Sequence, residues 1–307
     1  MSAVDLAEVH AQHFNLPPLR SPGARAAVPP TKEKLGEAGP HTEGQARVMH
    51  NAIRYLDDEM GGDEFPEDLE NLRQPMAKAL ADYVPDTHII LNGQESDYGG
   101  VAGKDSIYGS GDKAHIAVGQ GSLIRVMRGI SDDAPSYSLL YESERAYAAG
   151  VLADAPDYEG NGIHGASSDW NHRSQQVGTA MGAINGIGAD VYQDKEDDKV
   201  EWAEDTAEYS AIGANGLIGE IPVVSTAGGA LIDSFKYDWT KDVVEAAEQQ
   251  GKQDSSENYG RGMDGTTRLI DEWGEQRGIK GNGPFNEARD DAAAGYAIGR
   301  DAAGAHL

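Results

Sequence analysis

The sequence predicts an all-α protein: a helical bundle around a buried glycine-rich helical hairpin, with a small N-terminal helical subdomain. Three observations carry this. The run Tyr209 to Ile232, YSAIGANGLIGEIPVVSTAGGALI, holds one charge, Glu220, in a chain where 25% of residues are charged, so it must be buried in protein, lipid or a partner. The segments flanking it place apolar residues at helical spacing, with Gly, Asn and Pro where helices stop. Small residues also recur every three or four positions: Gly178, Gly182 and Gly186, then Gly213, Gly216 and Gly219, then Gly295 and Gly299. Backbones can approach closely along such ladders.

Composition sets the outer bounds. A chain of 307 residues with 39% hydrophobic content can bury a proper core. Its net charge of −27 repels phosphate, which argues against a nucleic-acid partner and leaves apolar burial as the means of meeting an anionic membrane. Cysteine is absent, so disulfides, thiolate metal sites and cysteine nucleophiles are excluded. The first residues, MSAVDLAEVHAQHF, show neither a basic region nor an apolar core of a classical signal peptide. The expectation is a cytoplasmic protein, or one secreted or displayed at the cell surface by a non-classical route.

Three regions are expected in order. Residues 1–41 are a proline-rich arm, with Pro17, Pro18, Pro22, Pro29, Pro30 and Pro40 defeating regular structure. Residues 42–155 form a small helical subdomain. Thr42 and Gln45 imitate a capping box before Val48, Ile53 and Leu56, and Gly61 and Gly62 end that helix. A second helix starts near Pro66 with Glu67, Asp68 and Glu70 in its first turn, and Pro75 inside it predicts a kink. Asp86 is placed to cap a third helix, Thr87 to Leu91, stopped by Asn92 and Gly93. A loop leads to a β-compatible piece, His115 to Val118. Ser122 is a plausible cap for Leu123 to Ile130, and Asp132 or Asp133 for the helix carrying Leu139, Leu140, Ala146, Tyr147 and Val151.

Residues 156–307 are read as a glycine-rich helical bundle. A long helix carries Trp170, Val177, Met181 and Ile184, and a polar helix, Asp194 to Glu208, follows it. Then comes the hairpin, broken at Pro222, whose ring removes an N–H and disfavours a helical Ile221. Its second arm bears Gly228 and Gly229. Helices Thr266 to Arg277 and Pro284 to Ala303 close the chain. Trp170, Trp202, Trp239 and Trp273 suit half-buried packing anchors.

Candidate chemistry is thin. Asp157, Glu159, Asn161 and Gly162 occupy positions one, three, five and six of an EF-hand-like loop, a weak calcium candidate. Position twelve is Ser168 instead of the bidentate Glu, so an acidic turn needing no ion is preferred. No nucleophile elbow, Walker loop or metalloprotease motif is present. The expectation is therefore no enzyme, cofactor or metal. Tyr192 with Glu196, like Tyr55 with Glu59, spells Y-x-x-x-E, a pattern that resembles the export signal of type VII secretion systems.

Taken in order, ARVMHNAIRYL, LRQPMAKALADYVPDTHIILNG, HIAVGQGSLIRVMRGISDDAPSYSLLYESERAYAAGVL, the apolar hairpin and GYAIGRDAAG form a set of landmarks. In these the chain resembles the carboxyl-terminal helical region of large proteins of Streptomyces and relatives, grouped as a domain of unknown function. The amino-terminal part of those proteins looks like a WXG-type helical hairpin associated with type VII secretion. The resemblance implies an all-helical fold and carries over no catalytic residue. Two functions are expected. The first is a non-enzymatic interaction or structural module of an actinobacterial secreted or surface assembly, meeting a protein partner or another copy through helix packing. The alternative is a membrane-active, pore-forming protein that inserts the 209–232 hairpin; only this alternative involves a membrane.

Overall fold

The computed structural model describes residues 41–60, 65–93, 107–108, 114–157, 166–195, 198–216 and 255–307, with backbone alone at 107–108, 166–168, 211–216 and 255–261. Of the described part, 84% is helical, arranged as an all-α bundle. The hairpin beyond residue 216, with Gly219, Pro222, Gly228 and Gly229, lies outside the described residues, as do the 1–40 arm and Trp239.

Helix α1 (Glu43–Met60) buries Ala46, Met49, His50, Ile53 and Leu56 along one stripe. Its start is a reciprocal capping box: the Thr42 N–H donates to Gln45 Oε1 at 2.8 Å and the Gln45 N–H donates to Thr42 Oγ1 at 3.3 Å. A 3-10 helix, Glu67–Leu72, then gives way to α2 (Arg73–Asp82). The kink expected at Pro75 is replaced by this change of helix type. Pro75 falls in the first turn of α2, where its missing N–H has no intrahelical acceptor to lose. Tyr83 joins α2 to α3 (Val84–Leu91). Asp86 lies inside α3 and caps nothing, contrary to its expected role; its carboxylate is used elsewhere.

Strands β1 (Ile107–Tyr108) and β2 (His115–Ile116) pair antiparallel, and His41 forms an isolated bridge with Ala114. Gly119, not Ser122, precedes α4 (Gln120–Ile130). Asp133 caps α5 (Ala134–Ala153) by accepting the Ser136 N–H at 3.1 Å. The long α6 spans Ala166–Asp194, α7 spans Lys199–Gly216 and α8 spans Ser255–Gln276. Gly278 and Gly281 turn the chain with positive φ, and Asn282 accepts the Phe285 N–H at 2.8 Å to start α9 (Gly283–His306).

Helix α6 is the axis: α9 lies along it, and α3, α4, α5, α7 and α8 also pack on it. One hydrophobic cluster runs from Ala46 to Ala303. Trp170, Trp202 and Trp273 are within it, more buried than the half-exposed anchors expected, and Trp170 meets Trp273 edge-on at 5.3 Å.

Candidate functional site

Two features stand out among the described residues, a glycine seam and a buried cluster of histidines and carboxylates. The seam lies between α6 and α9, which run parallel. A methyl group at Gly178 or Gly182 would overlap the backbone carbonyls of Ala292 or Tyr296, and one at Gly295 or Gly299 would overlap those of Gln175 or Thr179. Gly186 faces the Ala303 methyl. Each helix thus gives up side chains where the other's backbone enters, so the two are as close as helices come. Gly213 and Gly216 are on the last turns of α7, where only the backbone is described.

The second feature centres on α3, the short helix VPDTHIIL. Asp86 is 2% exposed; its Oδ1 meets His115 Nδ1 at 2.7 Å and its Oδ2 accepts the Ile116 N–H at 2.9 Å. This bond to Asp86 raises the His115 pKa above the ordinary imidazole value. Two residues on, His88 Nδ1 meets Glu144 Oε1 of α5 at 2.5 Å. Both side chains are nearly fully buried, and His88 Nε2 and Glu144 Oε2 have no hydrogen-bond partner. The ring of Tyr147 stands edge-on to His88 at 5.0 Å. Burial, reinforced by the charges of Glu144 and Asp86, pushes its phenol up to about 12. His41 stacks on buried Tyr83 at 3.6 Å.

Chemically, Glu144 fixes which ring nitrogen of His88 faces the carboxylate, as an orienting acid does in an acid–base dyad. Catalysis would also require a route for substrate to Nε2, and both partners are buried. The pair as it stands ties α3 to α5, while Asp86 ties α3 to β2. Further ties are the two-pronged Arg125–Asp57 pair at 2.6 and 2.9 Å between α4 and α1, and buried Arg128, which gathers Asp132, Asp190 and Asp194 at the end of α6.

The remaining sequence candidates are scattered. Asp157 is 95% exposed and pairs with Arg277 at 3.1 Å, while Glu159 and Asn161 lie outside the described residues. No described group of three or more His, Asp or Glu side chains is arranged to hold a metal ion. Tyr192 packs partly buried on the core with Lys199 Nζ 5.7 Å from its ring centre, and Glu196 is not described. No described helix is long and apolar enough to cross a membrane.

Compared with protein-family models, curated proteins and solved structures, the chain matches none of them. The cluster on α3 was missed in the sequence because its pairs are 29 and 56 residues apart. The available signal was the presence of charged residues inside the apolar runs VPDTHIIL and SLLYESERAYAAG.

Proposed function

We propose that this chain is a non-enzymatic interaction module, a rigid helical scaffold of a secreted or surface-associated assembly that meets a protein partner or another copy of itself by helix packing. The observation that carries this reading is the α6–α9 seam, where four glycines bring two backbones into direct contact. Contacts of that kind cannot slide without backbone collision, so the bundle offers a fixed shape on which other helices can dock. The almost complete burial of the His88–Glu144 pair is in keeping with a structural use of that dyad.

Size-exclusion chromatography with light scattering on the full chain, together with a pull-down from the native host, tests the reading. Concentration-dependent self-association, or a protein retained in stoichiometric amount, is the expected result. A strict monomer that retains nothing overturns it. Dye leakage from liposomes at low protein concentration, abolished by Ile218→Asp, would replace it with a membrane-active role.

A further inference from the structure

We infer, resting on the reading of the chain as a module that meets other helices, that a second copy docks the outer face of its α7 antiparallel on the outer face of α1. Helix α1 turns Arg47, Asn51, Arg54 and Tyr55 to solvent, with Tyr55 42% exposed. Among the described residues Arg47 and Arg54 pair with no carboxylate, whereas Arg73, Arg125, Arg128, Arg173, Arg277 and Arg289 each do. Asp57, on the same helix, is taken up by Arg125. In a chain of net charge −27, two guanidinium groups left over beside an exposed phenol ring suit a surface that is acidic and partly apolar. Helix α7 carries such a surface. It turns Glu201, Glu204, Asp205 and Glu208 outward, with exposed Val200 and Tyr209 at the two ends of the row.

The two faces match in spacing. Arg47 and Arg54 are two turns apart, about 10 Å along the helix, and so are Glu201 and Glu208. Laid antiparallel with Arg47 against Glu208, the same register sets Asn51 against Glu204, Arg54 against Glu201 and Tyr55 against Val200. A parallel register would serve the two arginines equally well. The antiparallel one also opposes the helix dipoles and brings Asp58 and Glu59, near the end of α1, within about a turn of Lys199. Exposed ion pairs are individually weak, so the contact is a transient one, with Tyr55 against Val200 as its apolar part. The rest of the negative surface repels a second copy from afar. At about 0.15 M salt that repulsion is screened beyond about 8 Å, while groups in contact still meet.

Sedimentation of the full chain in about 0.15 M salt, at concentrations up to about 1 mM, tests this with two charge-reversed variants. One is Arg47→Glu with Arg54→Glu, the other Glu201→Arg with Glu208→Arg. Each alone should self-associate at least about tenfold more weakly than the wild type, since attractive pairs become repulsive ones. An equal mixture of the two should regain the wild-type affinity, because each reversed face then meets its complement. The chain has no cysteine, which allows a second test that leaves every charge in place. Tyr55→Cys mixed with Val200→Cys should oxidise to a mixed disulfide, and Tyr55→Cys mixed with Tyr209→Cys should not. A disulfide through Tyr209→Cys in place of Val200→Cys overturns the antiparallel docking. Association that both reversed variants keep overturns the inference and leaves the scaffold reading standing. So does loss in the first variant alone, which would put some other acidic surface on α1. A wild type that stays monomeric at the highest concentration also overturns it, and the scaffold reading falls as well only if the pull-down from the native host is empty.

Discussion

His88 and Glu144 bring a base and an acid into a place where neither can be hydrated. Their desolvation is repaid only while both are present, because removal of one partner strands the other in the core. Glu144→Ala should therefore destabilise the protein by about 3–5 kcal/mol in urea titrations. The paired change His88→Leu with Glu144→Met should cost far less than Glu144→Ala alone, since an apolar pair of similar volume needs no hydration. A double variant as unstable as Glu144→Ala would mean that the site tolerates no repacking. The sequence is uneven at this level. Thr42 and Gln45 are legible because a capping box is written within four residues. His88 and Glu144, 56 residues apart, are not, because no local pattern encodes which acid a histidine will meet. Asp86 has the spacing of a cap, but its carboxylate serves a strand that reaches α3 only through tertiary folding.

Among the elements, the α6–α9 pair has the narrowest tolerance. Gly182→Ala puts a methyl group into the Tyr296 carbonyl, and overpacking of this kind costs about 1–3 kcal/mol or more. Gly265→Ala, on α8 with nothing within 4 Å of the new methyl, should instead stabilise by up to about 1 kcal/mol through helix propensity. Thermal melts of the two variants should move in opposite directions; equal shifts would mean that the seam is no tighter than the rest of the bundle. The four-residue ladders on α6 and α9 are visible in the sequence, but their mutual register is not, since spacing on one helix says nothing of its partner. Helix α8 begins at Ser255, well before the expected Thr266, through a stretch that glycine should disfavour. Gly262 there sits against the Tyr296 hydroxyl, so packing against α9 overrides the poor propensity.

For the molecule as a whole, a charge of −27 sets like charges against one another across the surface. Salt shortens their reach from about 30 Å at 0.01 M to about 3 Å at 1 M. The melting temperature should therefore rise across that range by at least about 2 °C, the shift that accompanies about 1 kcal/mol in a chain of this size. A fall would show that attractive pairs such as Arg125–Asp57 outweigh the general repulsion. Helical content and the all-α class were legible from periodicity, which survives whatever the tertiary arrangement is. That the core is one cluster from Ala46 to Ala303 was not, because it depends on how α6 is shared among its neighbours.

The parallel course of α6 and α9, with all of α7 and α8 between them in the chain, also governs the tempo of assembly. Adjacent antiparallel helices zip together within a short loop, whereas these two meet only after a long stretch has been gathered in, an entropic toll that slows the final docking. Despite being all helix, the protein is expected to fold at the pace of chains whose contacts are distant in sequence. Until the two helices dock, their bare glycine faces are equally open to the same faces on a neighbouring molecule, so refolding at high concentration invites exchanged α9 helices.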